Sequence, residues 1–570
     1  MNILSIPRFF WISVLAALMI TALLVGCNAV ATSEPTPTIV PPTPVPTPSA
    51  TPLPRGGALT VRMAQEVTDL RPWQPRSRAE EQVSQILYSG LMRLDAELRP
   101  QPDLAADWES SLDGRVLTFT LRSNVSWHDG QPFGADDVRF TLNSLRSLPY
   151  TRTALLADLQ RIENVTTPDE QTVVLQLSER YAPLLAELTL PILPRHMLEG
   201  RDLNSIDFWT VPVGTGPFQL DSREPEQSVV LTRHEAYHHG APLLERVAFV
   251  VAPDSDITLE ALQDEDLLLA ELPWRAHRSA EAFDNVRLDA YPENGFYFLA
   301  FNLRDGRPFA ELEVRQALTR AVDVPRLVEV VTNGQGIPIT NSAVPGSWAD
   351  LTPPVAAGAD LPGARDLLTE VGWILPPGGT IRERNGVPLT GALFVRGDDP
   401  RRVAAAERIA ETAASIGIDI NVERVDFNTV LLAKYAPPYD FDLLLGSWMN
   451  GAGDPNFPDY AYYDPDDFSL FHSSQINVGT ADTRITRNFI GFSDRVYDNH
   501  SPAARQLYNL GERITAYEQT QARVANTLPY LYLWADRLPV ALNKRVTTLD
   551  GPVDLASPIY FWNIERWYLQ

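Results

Sequence analysis

Cysteine and basic side chains are scarce in this chain. Its 570 residues include a single cysteine, Cys27, so no disulfide can form within the chain and no cysteine pair can hold a metal. Lysine and arginine total 47 against 72 acidic residues, which gives a formal net charge of −25. Nucleic acids and anionic membranes attract clustered cations. The composition therefore argues against both as partners and favours high solubility.

Common catalytic signatures are also missing. The sequence has no P-loop and no G-x-S-x-G motif. Gly214 and Gly216 lie close together, but the Lys and Ser/Thr that a phosphate-binding loop requires do not follow them. This pair is typical of a tight turn, and we predict neither an enzyme nor a bound cofactor.

One five-residue motif could bind zinc. The segment His234-Glu235-Ala236-Tyr237-His238 matches H-E-x-x-H, whose chemistry needs both histidines on one face of a helix. Gly240 and Pro242 follow at once, and predicted strands flank the motif, so no long helix can carry it. We expect no metal site here and keep a zinc-dependent hydrolase as an alternative function.

The N-terminus is typical of an exported protein. Arg8 precedes an apolar run from Phe9 to Gly26, which describes a secretory signal. The run ends in Leu24-Val25-Gly26-Cys27, which resembles the bacterial lipobox and implies cleavage after residue 26 and lipid attachment to Cys27. The alternative is a membrane-spanning anchor with an incidental cysteine. A lipid would attach the mature protein to a membrane without a spanning helix.

A linker separates this anchor from the folded part. Residues 32–54 include nine prolines and six threonines, a composition that favours extended polyproline II and cannot bury apolar surface. We assign residues 1–26 to the signal peptide and 27–56 to the lipid-anchored linker. Folding is expected to begin near Gly57.

The folded part alternates between strand and helix patterns. Phe296–Asn302 is a continuous apolar run of strand length, and a helix with one apolar face follows it. Val403–Ile416 has helical spacing and stops at Gly417, before a further strand. Pro100–Leu112 is expected to be loop. The alternation predicts an α/β protein.

One stretch, Leu117–Leu145, combines a strand, a turn and a helix. Its first residues alternate between apolar side chains and threonine, as in a strand with one buried face. His128–Pro132 contains the glycine and proline of a turn. Asp136 and Asp137 then open a helix with an apolar stripe.

These residues and several later blocks resemble the family 5 extracellular solute-binding proteins, the dipeptide, oligopeptide and nickel binders of ABC importers. The signature region is carried by Asp103-Leu104-Ala105, Trp108, Asp113-Gly114, His128-Asp129-Gly130, Pro132 and Ala135–Val138. Matching blocks follow at Gly214–Phe218, Arg233–Phe249, Phe298–Leu318 and Leu528–Leu533. Within the second of these, His234 and His238 take Asn and Trp positions of the family.

The resemblance implies a two-lobed periplasmic-binding-protein clamshell of type II, similar to cluster C. Lobe I would comprise residues 57–300, with an extra subdomain at about 96–212, and would be completed by residues 536–570. Lobe II would span 301–535. Solute would bind in the cleft between them, and contacts with both lobes would drive closure.

The resemblance also implies which residues meet the solute. Arg396 resembles the arginine that pairs with a ligand carboxylate, and Trp448 stands where a ring could stack on the ligand or pack in the core. In the segment Trp448–Pro455, which includes Asn450, dipeptide binders have a carboxylate for the ligand ammonium where this chain has Gly451. Asp454 matches a second, more structural aspartate. A free α-ammonium would therefore lack its counter-charge.

The implied function is capture of a peptide or peptide-sized solute and delivery to a membrane permease and its ATPase. Oligosaccharides and nickel complexes remain open as solutes. The expected location is the outer face of the cytoplasmic membrane or the periplasm, with a lipid-anchored monomer. A solute sensor with the same fold but no permease is a further alternative.

Overall fold

The computed structural model describes residues 55–73, 77–148, 158–204, 206–351, 357–449, 464–476 and 487–570. They belong to one compact unit, Leu53–Gln570. Among these residues no helix combines the length and apolar character needed to cross a membrane. Cys27, Asn450, Gly451 and Asp454, which the sequence singled out, lie outside the described residues.

The strands are numbered in chain order. They are β1 Ala58–Met63, β2 Met92–Leu94, β3 Pro100–Pro102, β4 Ala105–Ser110, β5 Val116–Leu121, β6 Ile162–Asp169, β7 Thr172–Leu177, β8 Phe218–Glu224, β9 Ser228–Arg233, β10 Arg246–Val251, β11 Leu269–Glu271, β12 Val286–Pro292, β13 Gly295–Phe301, β14 Gly336–Pro338, β15 Glu383–Arg384, β16 Val387–Pro388, β17 Thr390–Arg396, β18 Asp419–Val425, β19 Leu443–Met449, β20 Tyr530–Asn543, β21 Val546–Thr548, β22 Gly551–Pro552 and β23 Trp567–Leu569.

The α-helices lie mainly between these strands. Their bounds are Arg78–Leu87, Ala135–Ser147, Leu184–Glu187, Arg195–Leu198, Ile206–Trp209, Ser255–Gln263, Trp274–Ser279, Leu312–Ala321, Val324–Val331, Leu361–Glu370, Pro400–Ser415, Leu432–Lys434, Phe468–Phe471, Arg495–Ala504 and Leu510–Thr527.

One long strand, β20, connects two halves of the largest sheet. The strand order is β18-β17-β19-β13-β20-β11-β1-β10-β9-β8, with β12 and β14 also paired to β20. Residues 530–534 of β20 pair with β13, whereas residues 537–543 pair with β12. We refer to the half that contains β17, β18 and β19 as lobe II, and to the half that contains β1, β10 and β11 as lobe I. The predicted two-lobed α/β fold is therefore confirmed.

Each half-sheet has its own hydrophobic core. In lobe I, side chains of β1, β9, β10 and helix Arg78–Leu87 pack with C-terminal residues that include Phe561 and Trp567. In lobe II, β13, β17 and β19 pack against helices Leu312–Ala321 and Pro400–Ser415. A strand that belongs to both cores has to cross between them, and β20 becomes half-buried only at Asp536, Arg537 and Leu538.

A separate four-stranded antiparallel sheet, β4-β5-β7-β6, carries the stretch Leu117–Leu145. Helix Ala135–Ser147 buries Val138, Leu142 and Leu145, as its apolar stripe predicts. Asp137, one of the two aspartates that open this helix, is not solvated. It is buried, and it accepts hydrogen bonds from the backbone N–H of Gly134 and of Arg195, both at 3.0 Å. This corner is a structural element of lobe I.

The prediction of a loop over Pro100–Leu112 is wrong. Pro100–Pro102 forms β3 against β2, and Ala105–Ser110 forms β4 against β5. Two prolines in three residues obscured β3, which pairs with a single neighbouring strand. Most of β4 is exposed, so its composition lacks the apolar alternation of a strand.

Candidate functional site: the cleft between the lobes

The parallel strands of lobe II end at the crossing. Strand β17 is parallel to both β18 and β19, so their carboxyl ends, Arg396, Val425 and Met449, lie along one edge. Strand β13 begins at this edge, because Gly295 pairs with Met449. In open α/β sheets, ligands bind outside the carboxyl ends of the strands. This edge is therefore the candidate solute-binding edge of lobe II.

The parallel strands of lobe I end at the crossing as well. Strand β1 is parallel to β10 and β11, and their carboxyl ends are Met63, Val251 and Glu271. Strand β20 enters lobe I at this edge, since Val540 pairs with Glu271. The carboxyl edges of the two half-sheets thus face each other across the crossing strands, and the space between them is the candidate cleft.

Helix Pro400–Ser415 points its N-terminus at this edge and holds the crossing strand. Asp399 caps the helix by accepting from the backbone N–H of Arg401 at 3.0 Å. The Arg401 guanidinium donates to both carboxylate oxygens of Asp536, at 2.8 and 3.0 Å. Tyr297 and Trp534 also donate to Asp536, at 2.8 and 3.0 Å. These bonds fix β20 where it leaves lobe II.

A second polar network lies where β20 enters lobe I. Glu271 accepts hydrogen bonds from Arg78, Gln82, Tyr291 and Tyr560. Glu293 occupies the short link between β12 and β13. Burial raises the pKa of Glu293 to about 7, and the nearby charge of Asp536 adds to that rise. A titratable carboxyl therefore lies between β12, which pairs with residues 537–543 of β20, and β13, which pairs with β19.

Arg396 lies at the candidate solute-binding edge of lobe II, where β17 ends. Its guanidinium makes a bidentate pair with Asp398, with both N–O distances at 2.7 Å, and lies 4.7 Å from the centre of the Phe427 ring. The hydrogen bonds from Arg396 lower the pKa of Asp398 to about 2. Asp398 is 64% exposed, so a ligand carboxylate can take its place on the arginine fork.

Trp448 lies among core side chains. It is 4% exposed and stacks on Phe298 with ring centres 5.9 Å apart. Its indole N–H donates to the hydroxyl of Tyr530 at 3.4 Å, and the Tyr435 ring meets it edge-on. These are the contacts of a packing residue that supports the strand end.

The lobes also touch away from the crossing strands. The Tyr508 hydroxyl of lobe II donates to Gly114 O at 3.0 Å and accepts from the Tyr181 N–H at 3.3 Å. The backbone N–H of Ala182 donates to Arg505 O at 2.7 Å. At the opposite side, the N–H of Trp348 donates to the carbonyl oxygen of Glu97 in lobe I at 2.9 Å. With the predicted lobe boundaries, these hydrogen bonds join lobe I to lobe II.

Two concave spaces lie near the crossing. One, of about 860 Å³ including space open to solvent, is lined from both lobes, with Pro292 and Arg537 on the side of lobe I and Ile337 and Val344 on the side of lobe II. The other, of about 1040 Å³ including space open to solvent, lies within lobe I beside helix Arg78–Leu87.

The H-E-x-x-H motif does not form a zincin site. Residues 234–240 are turns, and His234 contacts Gly216 O at 3.4 Å. Glu235 is exposed and pairs with Arg233 at 2.6 Å, whereas the His238 side chain is 1% exposed and contacts Asp103. The glutamate and the two histidines therefore do not share a helix face.

Sequence analysis missed Arg401, Asp536 and Tyr508. The first two lie 135 residues apart, and no local pattern links them. The one available signal for Asp536 was an acidic residue that directly follows the apolar run Leu528–Ala535. Tyr508 gave no sequence signal.

Comparisons with known proteins agree with this architecture. The family model for bacterial extracellular solute-binding proteins, family 5, matches residues 99–469. The oligopeptide-binding protein AppA of Bacillus subtilis is 25% identical over 524 residues, which cover 90% of this chain and 92% of AppA. Protein XP55 of Streptomyces lividans is 29% identical over 483 residues, 83% of each chain.

Solved structures give the same result. NikZ of Campylobacter jejuni in complex with Ni(L-His) superposes with a TM-score of 0.64 at 25% identity, covering 90% of this chain and 99% of NikZ. AppA in complex with a nonapeptide has a TM-score of 0.61 at 24% identity, with the same coverage. The matched family model spans more than half of the chain, and the chain belongs to the bacterial extracellular solute-binding proteins, family 5.

Proposed function

We propose that this protein is the substrate-binding component of an ABC importer and that it closes on a peptide or peptide-sized solute. The observation that carries the proposal is the opposition of two carboxyl edges. Arg396, Val425 and Met449 end the parallel strands of lobe II, and the strand ends of lobe I face them across β12–β13 and β20. A solute in this space would contact both lobes and favour the closed state.

The solute is proposed to carry a carboxylate and no free α-ammonium. Arg396 offers a planar fork at the strand edge, and its present partner Asp398 is a surface residue. Gly451 replaces the carboxylate that binds the ammonium in dipeptide binders. AppA holds a nonapeptide and NikZ holds Ni(L-His), so both ligand classes occur among similar structures. Capped peptides and carboxylate-bearing complexes are the solutes to test first.

Closure is proposed to bend the chain at its two crossings. The predicted lobe boundaries are 300/301 and 535/536, with the extra subdomain at about 96–212. Strand pairing favours a first crossing at Glu293–Asn294, because β13 pairs with β19 of lobe II from Gly295 onward. It favours a second crossing at Ala535–Asp536, between the β20 segments that pair with β13 and with β12.

The protein is proposed to be a lipid-anchored monomer outside the cytoplasmic membrane. The lipobox-like Leu24–Cys27 and the Pro/Thr-rich linker support this proposal. The Cys27→Ser variant is expected to leave the membrane fraction, because it lacks the thiol that accepts the lipid. Fractionation of cells that express either form measures this. Equal membrane retention of the variant would indicate a spanning anchor.

The main alternative is a sensor with the same fold that feeds no permease. Mass spectrometry of the solute that co-purifies with the protein identifies the ligand. Uptake of that solute is then compared between cells with and without the gene. Loss of uptake supports the importer, whereas binding without any effect on uptake supports the sensor.

A further inference from the structure

Four of the eight histidines lie in two neighbouring ring pairs, and one of these pairs contacts Asp103. His128 and His234 meet edge to face with ring centres 5.0 Å apart, and the rings of His238 and His239 are 4.6 Å apart. Asp103 lies 135 residues before His238, so only the fold brings these side chains together. None of these five residues ends a strand at the candidate cleft.

Asp103 contacts two imidazoles through a single oxygen. Its Oδ1 lies 2.7 Å from Nε2 of His238 and 2.9 Å from Nε2 of His239. The side chains of His238 and Asp103 are 1% and 6% exposed, and that of His239 is 15% exposed. Both imidazoles thus direct the same ring nitrogen at one buried carboxylate oxygen.

This arrangement has the chemistry of a metal-binding triad. Two imidazole nitrogens and one carboxylate oxygen form a donor set that zinc and other first-row divalent cations prefer. The three atoms lie within 4.8 Å of one another. Bonds of about 2.0–2.1 Å to a tetrahedral ion place its ligands about 3.3 Å apart, so each contact would open by about 0.5 Å.

A second observation points to a ligand. The other ring nitrogen of His238, Nδ1, is buried without a hydrogen-bond partner among the described residues. A buried imidazole that serves only as a hydrogen-bonding residue would be expected to satisfy both nitrogens. Coordination through Nε2 would add a strong bond that offsets the cost of the unsatisfied atom.

The space beside the triad gives a metal ion access to it. Asp103 and Tyr237 form part of the wall of the 1040 Å³ space in lobe I, which supplies a route for the ion and room for a water ligand. Arg93 pairs with Glu565 at 3.4 Å, and the Arg122 guanidinium donates to the carbonyl oxygen of Asp103 at 2.7 Å. The Asp103 carboxylate supplies the negative charge at the triad itself.

We propose that Asp103, His238 and His239 bind a divalent transition-metal ion, with zinc as the reference ion, at a site separate from the solute cleft. Of the H-E-x-x-H motif, this site uses only His238, and its other ligands are Asp103 and His239. The site is independent of the proposed transport function. The fourth coordination position would face the space in lobe I.

The test measures Zn²⁺ bound to the purified full chain without a polyhistidine tag, by elemental analysis after dialysis against Zn²⁺. The variants are Asp103→Asn, which keeps the shape of the side chain but removes its charge, and His239→Ala, which removes the most exposed ligand. His196→Ala is the matched control, because His196 makes an isolated 2.7 Å pair with Asp129. Circular dichroism shows whether each variant folds.

We expect one Zn²⁺ per chain for the wild type and for His196→Ala. Either triad variant should bind Zn²⁺ more weakly by more than about tenfold, since loss of a second-shell partner alone has an effect of that size. With Co²⁺, the wild type should show the intense visible absorption of four-coordinate cobalt, and the triad variants should not. Wild-type protein that retains no Zn²⁺, or folded triad variants that retain as much as the wild type, would overturn the proposal.

Discussion

The pair of Arg396 and Asp398 makes a quantitative prediction about solute binding. In the structure, Asp398 occupies the arginine fork that a ligand carboxylate would use, with two contacts of 2.7 Å. An ion pair with one exposed partner is worth only about 0.2–1 kcal/mol. Asp398 is therefore a weak competitor, and Asp398→Asn should increase the affinity for a carboxylate-bearing solute by no more than about fivefold.

Removal of the arginine should have a larger and opposite effect. A hydrogen bond to a charged group contributes about 1.5–3 kcal/mol, so Arg396→Ala should weaken binding by about 10- to 150-fold. Arg396→Lys should recover part of this loss, because an ammonium keeps the charge but not the fork.

Isothermal titration calorimetry with the co-purified solute and its amidated derivative measures both effects. Amidation removes the carboxylate, so it should abolish the gain from Asp398→Asn and most of the loss from Arg396→Ala. Arg326→Ala is the control, because Arg326 makes an exposed pair with Glu329 within helix Val324–Val331. If Arg396→Ala weakens binding of the acid and the amide equally, the assigned role is wrong.

Three further predictions concern closure and stability. Tyr508→Phe removes a hydroxyl that bridges the lobes. It should weaken solute binding about 2- to 10-fold in calorimetry, at an unchanged melting temperature. Equal solute affinity of the variant and the wild type would contradict a role of Tyr508 in closure. Glu293 has a raised pKa of about 7, so it binds more protons in the folded state than in the unfolded state. The free energy of unfolding of the wild type should therefore fall as pH rises from about 4.5 to 7. Glu293→Gln should flatten this slope and increase the free energy of unfolding at pH 8 by about 1–3 kcal/mol, as measured by urea unfolding. Identical pH profiles would show that Glu293 is not responsible. Arg513→Ala leaves the buried carboxylate of Asp464 without its 2.7 Å partner and should destabilise the protein by about 3–5 kcal/mol. Arg326→Ala removes an exposed ion pair and should cost less than about 1 kcal/mol. Similar losses of stability in the two variants would refute the argument from burial.

Local patterns were sufficient to predict the main elements of the fold. The spacing of apolar residues in Val403–Ile416 predicted helix Pro400–Ser415, and Gly417 ends it with a φ of 87°. The alternation over Leu117–Leu121 predicted β5, and the run Phe296–Asn302 predicted β13. In each case the pattern of a few consecutive residues is enough to identify the buried face of the element.

Elements and contacts that depend on distant parts of the chain could not be predicted in this way. The family resemblance marked only the block Leu528–Leu533, whereas β20 spans Tyr530–Asn543. Asp536 and Arg537 interrupt the pattern because the strand is half-buried where it passes between the lobes.

The chemistry at the candidate sites shows the same limit. The sequence marked Arg396 and Trp448 by resemblance, but only the fold shows that Trp448 packs among core aromatic rings. The contacts of Arg401 with Asp536, and of Asp103 with His238, each join residues 135 positions apart. Such pairs depend on strand order, which no single segment determines.

The central claim is that solute binds between the carboxyl edges of the two half-sheets. The most direct test is a crystal structure of the protein with its co-purified solute. The account predicts solute density in contact with Arg396 on lobe II and with residues that follow β1 or β11 on lobe I. Density confined to the space beside helix Arg78–Leu87, with Arg396 still paired to Asp398, would contradict it.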